Sequence, residues 1–225
     1  MQLAVFGATG GTGRAFTRQA TAATHDVRAL TRSPAKLPPG DDVTAIRGNV
    51  LDAEPVEATI DGADAVVCLL GRTGNNPDDV VSRGTENIVA AMRERDVQRL
   101  VVLTSMGLGA SVRQVPWYVR LATATVLHDL MADKARQEDL VAGSDLDWTI
   151  VRPGGLTDGP RTGDYAHGVD VDVTAGPISR ADVADFLLQT VETDAYLRQT
   201  PVVTTDRDVT AAFLWEQVTA VARRL

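Results

Sequence analysis

Three glycines near the start of the chain are spaced for phosphate binding. Gly7, Gly10 and Gly13 follow an apolar run, QLAVFG, that predicts a strand, and they open a helical pattern, GTGRAFTRQATAA. A strand–turn–helix unit of this kind presents free backbone N–H groups and the positive end of the helix dipole to an anion. We therefore predict that the turn holds a dinucleotide pyrophosphate, with contacts from Gly7, Thr9, Gly10, Gly11, Thr12, Gly13 and Arg14. The alternative is a tight turn without a ligand.

The end of the second predicted strand indicates which dinucleotide would bind. Sites for NAD usually place Asp or Glu there, to accept a hydrogen bond from the ribose 2′-hydroxyl. This strand, DVRALTR, ends instead at Arg32, whose guanidinium can pair with a 2′-phosphate. Arg14 and Ser33 can contribute to the same phosphate, and Lys36 is a weaker candidate. We predict NADP(H) as the cofactor. The alternative is that Arg32 is a solvated charge at a strand end.

The elements that would position these residues alternate between strands and helices. Apolar strand patterns are separated by helical ones, in the order QLAVFG, DVRALTR, VTAIRGNV, ADAVVCLLG, VQRLVVLTS and LDWTIVRPG for the strands. A near-continuous apolar run such as ADAVVCLLG is typical of a strand covered on both faces. The alternation predicts an α/β fold, a doubly wound parallel sheet of the Rossmann type.

The composition of the chain changes after Pro153. The segment GGLTDGPRTGDYAHG is rich in Gly, Asp and Thr, and it predicts a loop with short strands. Ser179 is the predicted N-cap of a helix over SRADVADFLLQTVE, and TPVVTT and TAAFLWEQVTAVARR predict a last strand and helix. We predict one domain over residues 1–225, with a dinucleotide-binding core over 1–153 and a small C-terminal, mostly substrate-side region over 154–225.

Composition argues against several classes of protein. A net charge of −8 opposes nucleic-acid binding, which needs a basic surface. No signal-peptide pattern is present, and no apolar run reaches the roughly 18 residues of a membrane span. The single cysteine, Cys68 in AVVCLL, excludes an internal disulfide and predicts a buried structural thiol. We expect a cytoplasmic monomer or weak homodimer with a small-molecule substrate, no membrane partner and no metal.

Several motifs together resemble one superfamily. They are GATGGTGR, LTRSPAKL after the second strand, GNVLD after the third, VVCLLGRTG at the fourth, GTENIVAAM in the next helix, VVLTS at the fifth, and WTIVRPGGLTDGPRTGDY. With the GxxGxxG spacing, they resemble the atypical, or extended-like, short-chain dehydrogenase/reductase superfamily. Within it the chain looks like the NmrA-like proteins and the enzymes known as biliverdin reductase B or flavin reductase. The resemblance covers most of the chain.

The resemblance implies further cofactor contacts. Asn49 and Val50, in GNVLD, match the adenine-edge pair of these proteins, although they usually have Asp where this chain has Asn49. Leu70, Gly71 and Arg72 are expected along the path to the nicotinamide ribose. The remaining positions are Thr104 and Ser105 after the fifth strand, Lys134 in the following helix, and Pro153, Gly154 and Gly155 after the sixth strand.

The catalytic side chains that the resemblance implies are Ser105 and Lys134. The usual site of short-chain dehydrogenases also has a tyrosine four residues before the lysine, on the same helix face, as general acid. Leu130 stands at that position here. The biliverdin and flavin reductases work without this tyrosine, because their flat acceptors can take a proton from solvent. They have a histidine after the sixth strand where this chain has Gly155.

Two further groups of residues are candidates for the pocket. Met106, Trp117 and Tyr118 could form an apolar wall for a flat ligand, or the aromatic pair could anchor the start of a helix. Tyr165 and His167 are expected on a surface loop, from which either could enter the pocket.

These observations lead to two main hypotheses. The first is an NADPH-dependent oxidoreductase that transfers a hydride to a flavin, quinone or tetrapyrrole. The second is a non-catalytic NADP(H)-binding redox sensor of the NmrA type. The missing tyrosine favours the sensor, whereas the RTGDY motif and the compact length favour the enzyme. A sugar-nucleotide epimerase or dehydratase fits less well, because such enzymes generally keep the tyrosine and need a larger substrate lobe.

Overall fold

The computed structural model describes residues 1–74, 76–117, 120 and 127–205. The strands are β1 (Gln2–Phe6), β2 (Asp26–Thr31), β3 (Val43–Arg47), β4 (Ala65–Cys68), β5 (Arg99–Leu103), β6 (Asp147–Pro153), β7 (Gly155–Thr157), β8 (Ala166–Gly168), β9 (Pro177–Ser179) and β10 (Val202–Thr204). The α-helices are α1 (Gly11–Ala22), α2 (Ala53–Ile60), α3 (Val80–Glu94), α4 (His128–Ala142) and α5 (Arg180–Glu192). Short 3-10 helices span Pro34–Lys36 and Gly109–Gln114.

The main sheet confirms the predicted doubly wound fold. Its strand order is β3-β2-β1-β4-β5-β6-β10-β8. All neighbouring pairs are parallel except β10 and β8, which are antiparallel. β7 and β9 form a separate two-stranded parallel sheet. The order reverses between β1 and β4, and in sheets of this kind ligands bind outside the carboxyl ends of the strands at that point.

The helices cover both faces of the sheet. On one face, α1 and α5 pack through Phe16 and Leu187 in a core cluster with Val5 and Val67. On the other face, α2 and α3 supply Ile60 and Met92 to a second cluster. β4 is buried along its whole length, because its side chains point alternately into these two layers.

The helix termini agree with the sequence where the structure describes them. Ser179 is the N-cap of α5, and its side chain accepts a hydrogen bond from the backbone N–H of Asp182, as predicted. The helical pattern before Lys134 is described as α4 only from His128, and the predicted C-terminal helix lies outside the described residues.

Across the described part of the chain, we find no helix with the length and apolar character to cross a membrane.

Candidate functional site

A cavity of about 1880 Å³ lies at the carboxyl ends of the parallel strands. It is larger than the ~300–1000 Å³ typical of a pocket for one small molecule. Every residue predicted to contact a cofactor or to act in catalysis lines it: Gly7, Thr9, Gly10, Gly11, Thr12, Gly13, Arg14, Arg32, Ser33, Asn49, Val50, Leu70, Gly71, Arg72, Thr104, Ser105, Lys134, Pro153, Gly154 and Gly155. The fold thus brings residues from the ends of β1 to β6 into one space.

The glycine loop, residues 7–14, is held by close backbone packing. Gly7 has a φ of +85°, and a Cβ atom there would lie 2.3 Å from the carbonyl oxygen of Leu69 on the neighbouring strand end. A Cβ atom at Gly13 would lie 2.2 Å from the carbonyl oxygen of Gly7. A larger residue at Gly7 would therefore push the turn away from the end of β4, and one at Gly13 would push it away from α1. No side chain caps the N-terminus of α1 at Gly10, so its first N–H groups face the cavity without a protein acceptor side chain.

Two arginines lie at one end of the cavity. Arg14 donates from Nη1 to the carbonyl oxygen of Thr9 at 2.8 Å, and Arg32 donates from Nη1 to Oδ1 of Asn76 at 2.5 Å. Asn76 was not singled out from the sequence, since it lies in a loop without a recognisable motif. Both guanidinium groups pair with neutral oxygens here, which leaves their charges available to an anion.

Hydrogen bonds hold the loop that follows β3. The side chain of Asn87 on α3 donates to the carbonyl oxygen of Val50 at 2.9 Å, and Oδ1 of Asn49 accepts from the backbone N–H of Leu51 at 3.3 Å. A Cβ atom at Gly84 would lie 2.8 Å from a methyl group of Val50. Gly84 thus allows α3 to approach this loop closely.

Ser105, which follows β5, and Lys134, on α4, line the same cavity. The Ser105 hydroxyl donates to the carbonyl oxygen of Met106 at 3.1 Å, and Nζ of Lys134 approaches the carbonyl oxygen of Leu103 at 3.4 Å. Burial lowers the pKa of Lys134, and the nearby Cys68, Glu138 and Asp133 only partly offset this. The structure therefore does not support Lys134 as an ordinary surface lysine.

Two buried carboxylates on α4 fix the position of Lys134. Asp133 accepts hydrogen bonds from the backbone N–H groups of Val81 and Ser82 at 2.9 and 3.2 Å, at the N-terminus of α3, where a negative charge is favourable. Glu138 forms a buried bidentate pair with Arg152 on β6, at 3.0 and 2.7 Å. Asp133 joins α4 to α3 and Glu138 joins α4 to β6, and these two contacts fix the part of α4 that carries Lys134.

No tyrosine stands beside Lys134 among the described residues. Leu130, four residues earlier, lines the cavity. Tyr118 lies outside the described part of the chain. Tyr165 does not line the cavity, and the expectation that it is a surface residue is corrected: it is half-buried and its hydroxyl donates to Asp185 at 2.8 Å. Burial, followed by this carboxylate, raises the pKa of Tyr165. His167 is exposed, as expected, but it lies in strand β8 and not in a loop.

Several apolar residues that follow Ser105 in the chain line part of the cavity. We call this part the acceptor chamber and define it by Met106, Val115, Trp117, Leu127 and Met131. The Trp117 side chain is 73% exposed, so it is not a core anchor in this conformation. Cys68 is buried, as predicted for a structural thiol.

The described lining of the cavity is positively charged although the protein is acidic. The chain has 30 Asp and Glu against 22 Lys and Arg. None of the described lining residues is Asp or Glu, whereas the basic ones are Arg14, Arg32, Lys36, Arg72, Arg120, Lys134 and Arg180. A cleft lined by charges of one sign concentrates ligands of the opposite sign. Sequence inspection missed Arg120 and Arg180, since neither belongs to a motif that marks a cofactor contact.

Comparison with known proteins agrees with this geometry. Residues 7–194 match the protein family described as NAD(P)H-binding. The oxidoreductase stcQ of Emericella nidulans is 30% identical over 244 residues, covering 96% of this chain and 86% of its own.

Two solved structures share the fold. A Veillonella parvula short-chain dehydrogenase/reductase in complex with NADP has a TM-score of 0.79 at 17% identity, covering 93% of this chain and 98% of its own. ChuY of Escherichia coli O157:H7, described as an anaerobillin reductase, has a TM-score of 0.76 at 23% identity, covering 93% of this chain and 99% of its own. The chain therefore belongs to the protein family described as NAD(P)H-binding.

Proposed function

We propose that the protein is an NADPH-dependent reductase whose acceptor is a flat, electron-poor molecule such as a flavin, quinone or tetrapyrrole. The main observation in its favour is the continuity of the cavity. The glycine loop, Arg32, Ser105, Lys134 and the acceptor chamber all line one space. Its volume of about 1880 Å³ leaves room for a second molecule beside a dinucleotide.

The residues present fit a dinucleotide that carries phosphates. The uncapped N-terminus of α1 offers backbone N–H groups, and the buried Nε of Arg72 has no hydrogen-bond partner within the described structure. Arg32 and Arg14 are the groups we assign to a 2′-phosphate, which favours NADP(H) over NAD(H). Asn49 and Val50 would lie along the adenine edge.

The chemistry supplied by a bound NADPH is transfer of a hydride to the acceptor. The protein's contribution would be orientation, which lowers the entropic part of the barrier. Lys134 would hold the nicotinamide ribose, and Ser105 would donate a hydrogen bond toward the reacting region. The acceptor chamber would keep a flat ring against the nicotinamide. With Leu130 in the tyrosine position, the proton that completes the reduction would come from solvent.

Two comparisons support a reductase and one feature favours the alternative. The relative named an oxidoreductase matches nearly the whole chain, and a protein of the same fold is described as an anaerobillin reductase. The alternative is a non-catalytic NADP(H) sensor, favoured by Leu130 where a general acid would stand.

A panel of acceptors tests the proposal directly. Purified protein would be incubated with NADPH and, separately, FMN, FAD, biliverdin and quinones, and absorbance at the nicotinamide band would be followed. We expect oxidation of NADPH with at least one acceptor, and slower oxidation of NADH. Tight nucleotide binding without turnover on any acceptor would reject the reductase and favour the sensor, especially if NADP⁺ and NADPH bind with different affinities.

Lys134→Met is expected to lower activity while it stabilises the fold. The side chain loses its contact with the nicotinamide ribose, and misplacement of the ring should reduce kcat/KM by about 100-fold. Burial lowers the pKa of Lys134, so the folded state disfavours its charged form. That penalty is present below the lysine's ordinary pKa and disappears as the pH rises above it, so at pH 7 the apolar variant should have a higher Tm. A lower Tm, or unchanged kcat/KM, would contradict this.

A further inference from the structure

Arg180 is a cation placed on the glycine loop by a distant part of the chain. It is the first residue of α5, and its side chain lies directly over Gly11. A Cβ atom at Gly11 would lie 2.6 Å from Cδ and 2.8 Å from Nε of Arg180. Gly11 therefore leaves space for this side chain. Arg180 also lines the same cavity as the glycine loop.

The electrostatic setting of Arg180 favours an anion beside the glycine loop. It places a positive charge beside the uncapped N-terminus of α1, whose first turn contains no acidic residue. It is also in the first turn of its own helix, α5. At α5 the Ser179 cap and Asp182 in the first turn offset this charge, so the uncompensated positive end is that of α1, where a cation is disfavoured. A phosphate group would be attracted by the N-terminus of α1 and by the guanidinium together.

One carboxylate holds the guanidinium at its outer side. Nη1 of Arg180 donates to Oδ1 of Asp158 at 2.6 Å. The Arg180 side chain is 16% exposed, whereas that of Asp158 is 79% exposed. An exposed partner of this kind contributes little to stability. The guanidinium has five N–H donors, so the pair with Asp158 leaves others for a ligand.

We propose that Arg180 binds the pyrophosphate of the cofactor, opposite the backbone N–H groups of the glycine loop, and that Asp158 only orients it. This rests on the proposed cofactor, and it deepens that proposal by adding a side chain from the C-terminal half to the phosphate site. Arg14 and Arg32 would then serve the 2′-phosphate, and Arg180 the pyrophosphate. Tight binding of the dinucleotide would thus require α5 as well as the glycine loop.

Two variants separate phosphate binding from a structural role. Arg180→Gln removes the charge and the ion pair with Asp158, whereas Asp158→Asn breaks the same ion pair and keeps the guanidinium. Calorimetric titrations would use NADP⁺ and adenosine 2′-monophosphate, which lacks the pyrophosphate. Charge-assisted hydrogen bonds have a value that corresponds to about 10- to 100-fold in affinity. Arg180→Gln should lose that much for NADP⁺ and little for adenosine 2′-monophosphate, and Asp158→Asn should bind both nearly as the wild type does.

Arg180→Lys guards against a folding artefact, because it keeps the charge on a flexible stem and should be intermediate for NADP⁺. The inference is overturned if Arg180→Gln binds NADP⁺ as the wild type does. It is also overturned if Asp158→Asn is as weak as Arg180→Gln, or if Arg180→Gln weakens both ligands equally. Failure of the reductase proposal would look different: NADP⁺ would bind with this dependence on Arg180 while no acceptor was reduced.

Discussion

Arg32→Asp is expected to weaken NADPH binding by at least about 100-fold, because a carboxylate then faces the 2′-phosphate where a guanidinium stood. Arg32 lines the cavity, and its hydrogen bond to Asn76 does not neutralise its charge. NADH lacks the 2′-phosphate, and the carboxylate introduced by the substitution can accept a hydrogen bond from its ribose 2′-hydroxyl. The affinity for NADH should therefore be kept or increased. Fluorescence titrations with both nucleotides would measure the change in preference.

Arg18→Asp provides a matched control for this substitution. Arg18 is exposed on α1 and does not line the cavity, and the change in net charge is the same. It should leave the preference for NADPH intact, with only a small, salt-dependent loss of affinity from the altered field. If the two variants have the same effect, or if Arg32→Asp keeps the wild-type preference, the assignment of Arg32 to a 2′-phosphate is wrong.

Glu138→Gln is expected to destabilise the fold by about 3–5 kcal/mol, since it leaves the buried Arg152 guanidinium without its counter-charge. Both side chains of this pair are nearly buried, at 10% and 8% exposed. Glu138 also accepts a hydrogen bond from the hydroxyl of Thr104 at 2.7 Å. The loss would be measured as the free energy of unfolding in denaturant.

The double variant Glu138→Gln/Arg152→Met tests whether the cost comes from the unpaired charge. Removing both charges should recover much of the stability, because the pair itself contributes little net free energy after desolvation. Asp145→Asn is the surface comparison: its ion pair with Arg93 is exposed, and its loss should leave stability nearly unchanged. If Glu138→Gln behaves like Asp145→Asn, the buried pair does not hold α4 as we describe.

The substitution at Glu138 also connects stability to the site. Glu138 lies one helical turn after Lys134 on α4, and its hydroxyl partner Thr104 is adjacent to Ser105. A shift of α4 against β6 would therefore move Lys134 relative to Ser105. We accordingly expect the folded Glu138→Gln variant to have a lower kcat/KM than the wild type. A small shift of α4 disturbs the orientation of Lys134 and Ser105 even where the fold persists.

The doubly wound sheet and its ligand edge were predictable from the sequence alone. Buried parallel strands such as β4 appear as continuous apolar runs, and their ends are marked by Gly, Arg or Pro. Parallel strands bring their carboxyl ends to one edge, so residues that follow them in sequence, such as Gly7, Arg32 and Ser105, meet in space. Local pattern and one topological rule were enough to place them.

Only the tertiary structure decided which other side chains share that space. Arg180 belongs to no sequence motif that marks a cofactor contact. It reaches the glycine loop because α5 packs beside α1 with its first turn at Gly11. The pairing of Glu138 with Arg152, and of Asp133 with the N-terminus of α3, likewise joins residues from separate elements. Such contacts depend on how the helices pack on the sheet. This packing is set by many side chains from separate elements, so the spacing of residues in the sequence does not predict it. The sequence thus determined where a dinucleotide would lie, and the packing of α4 and α5 decided which charges surround it.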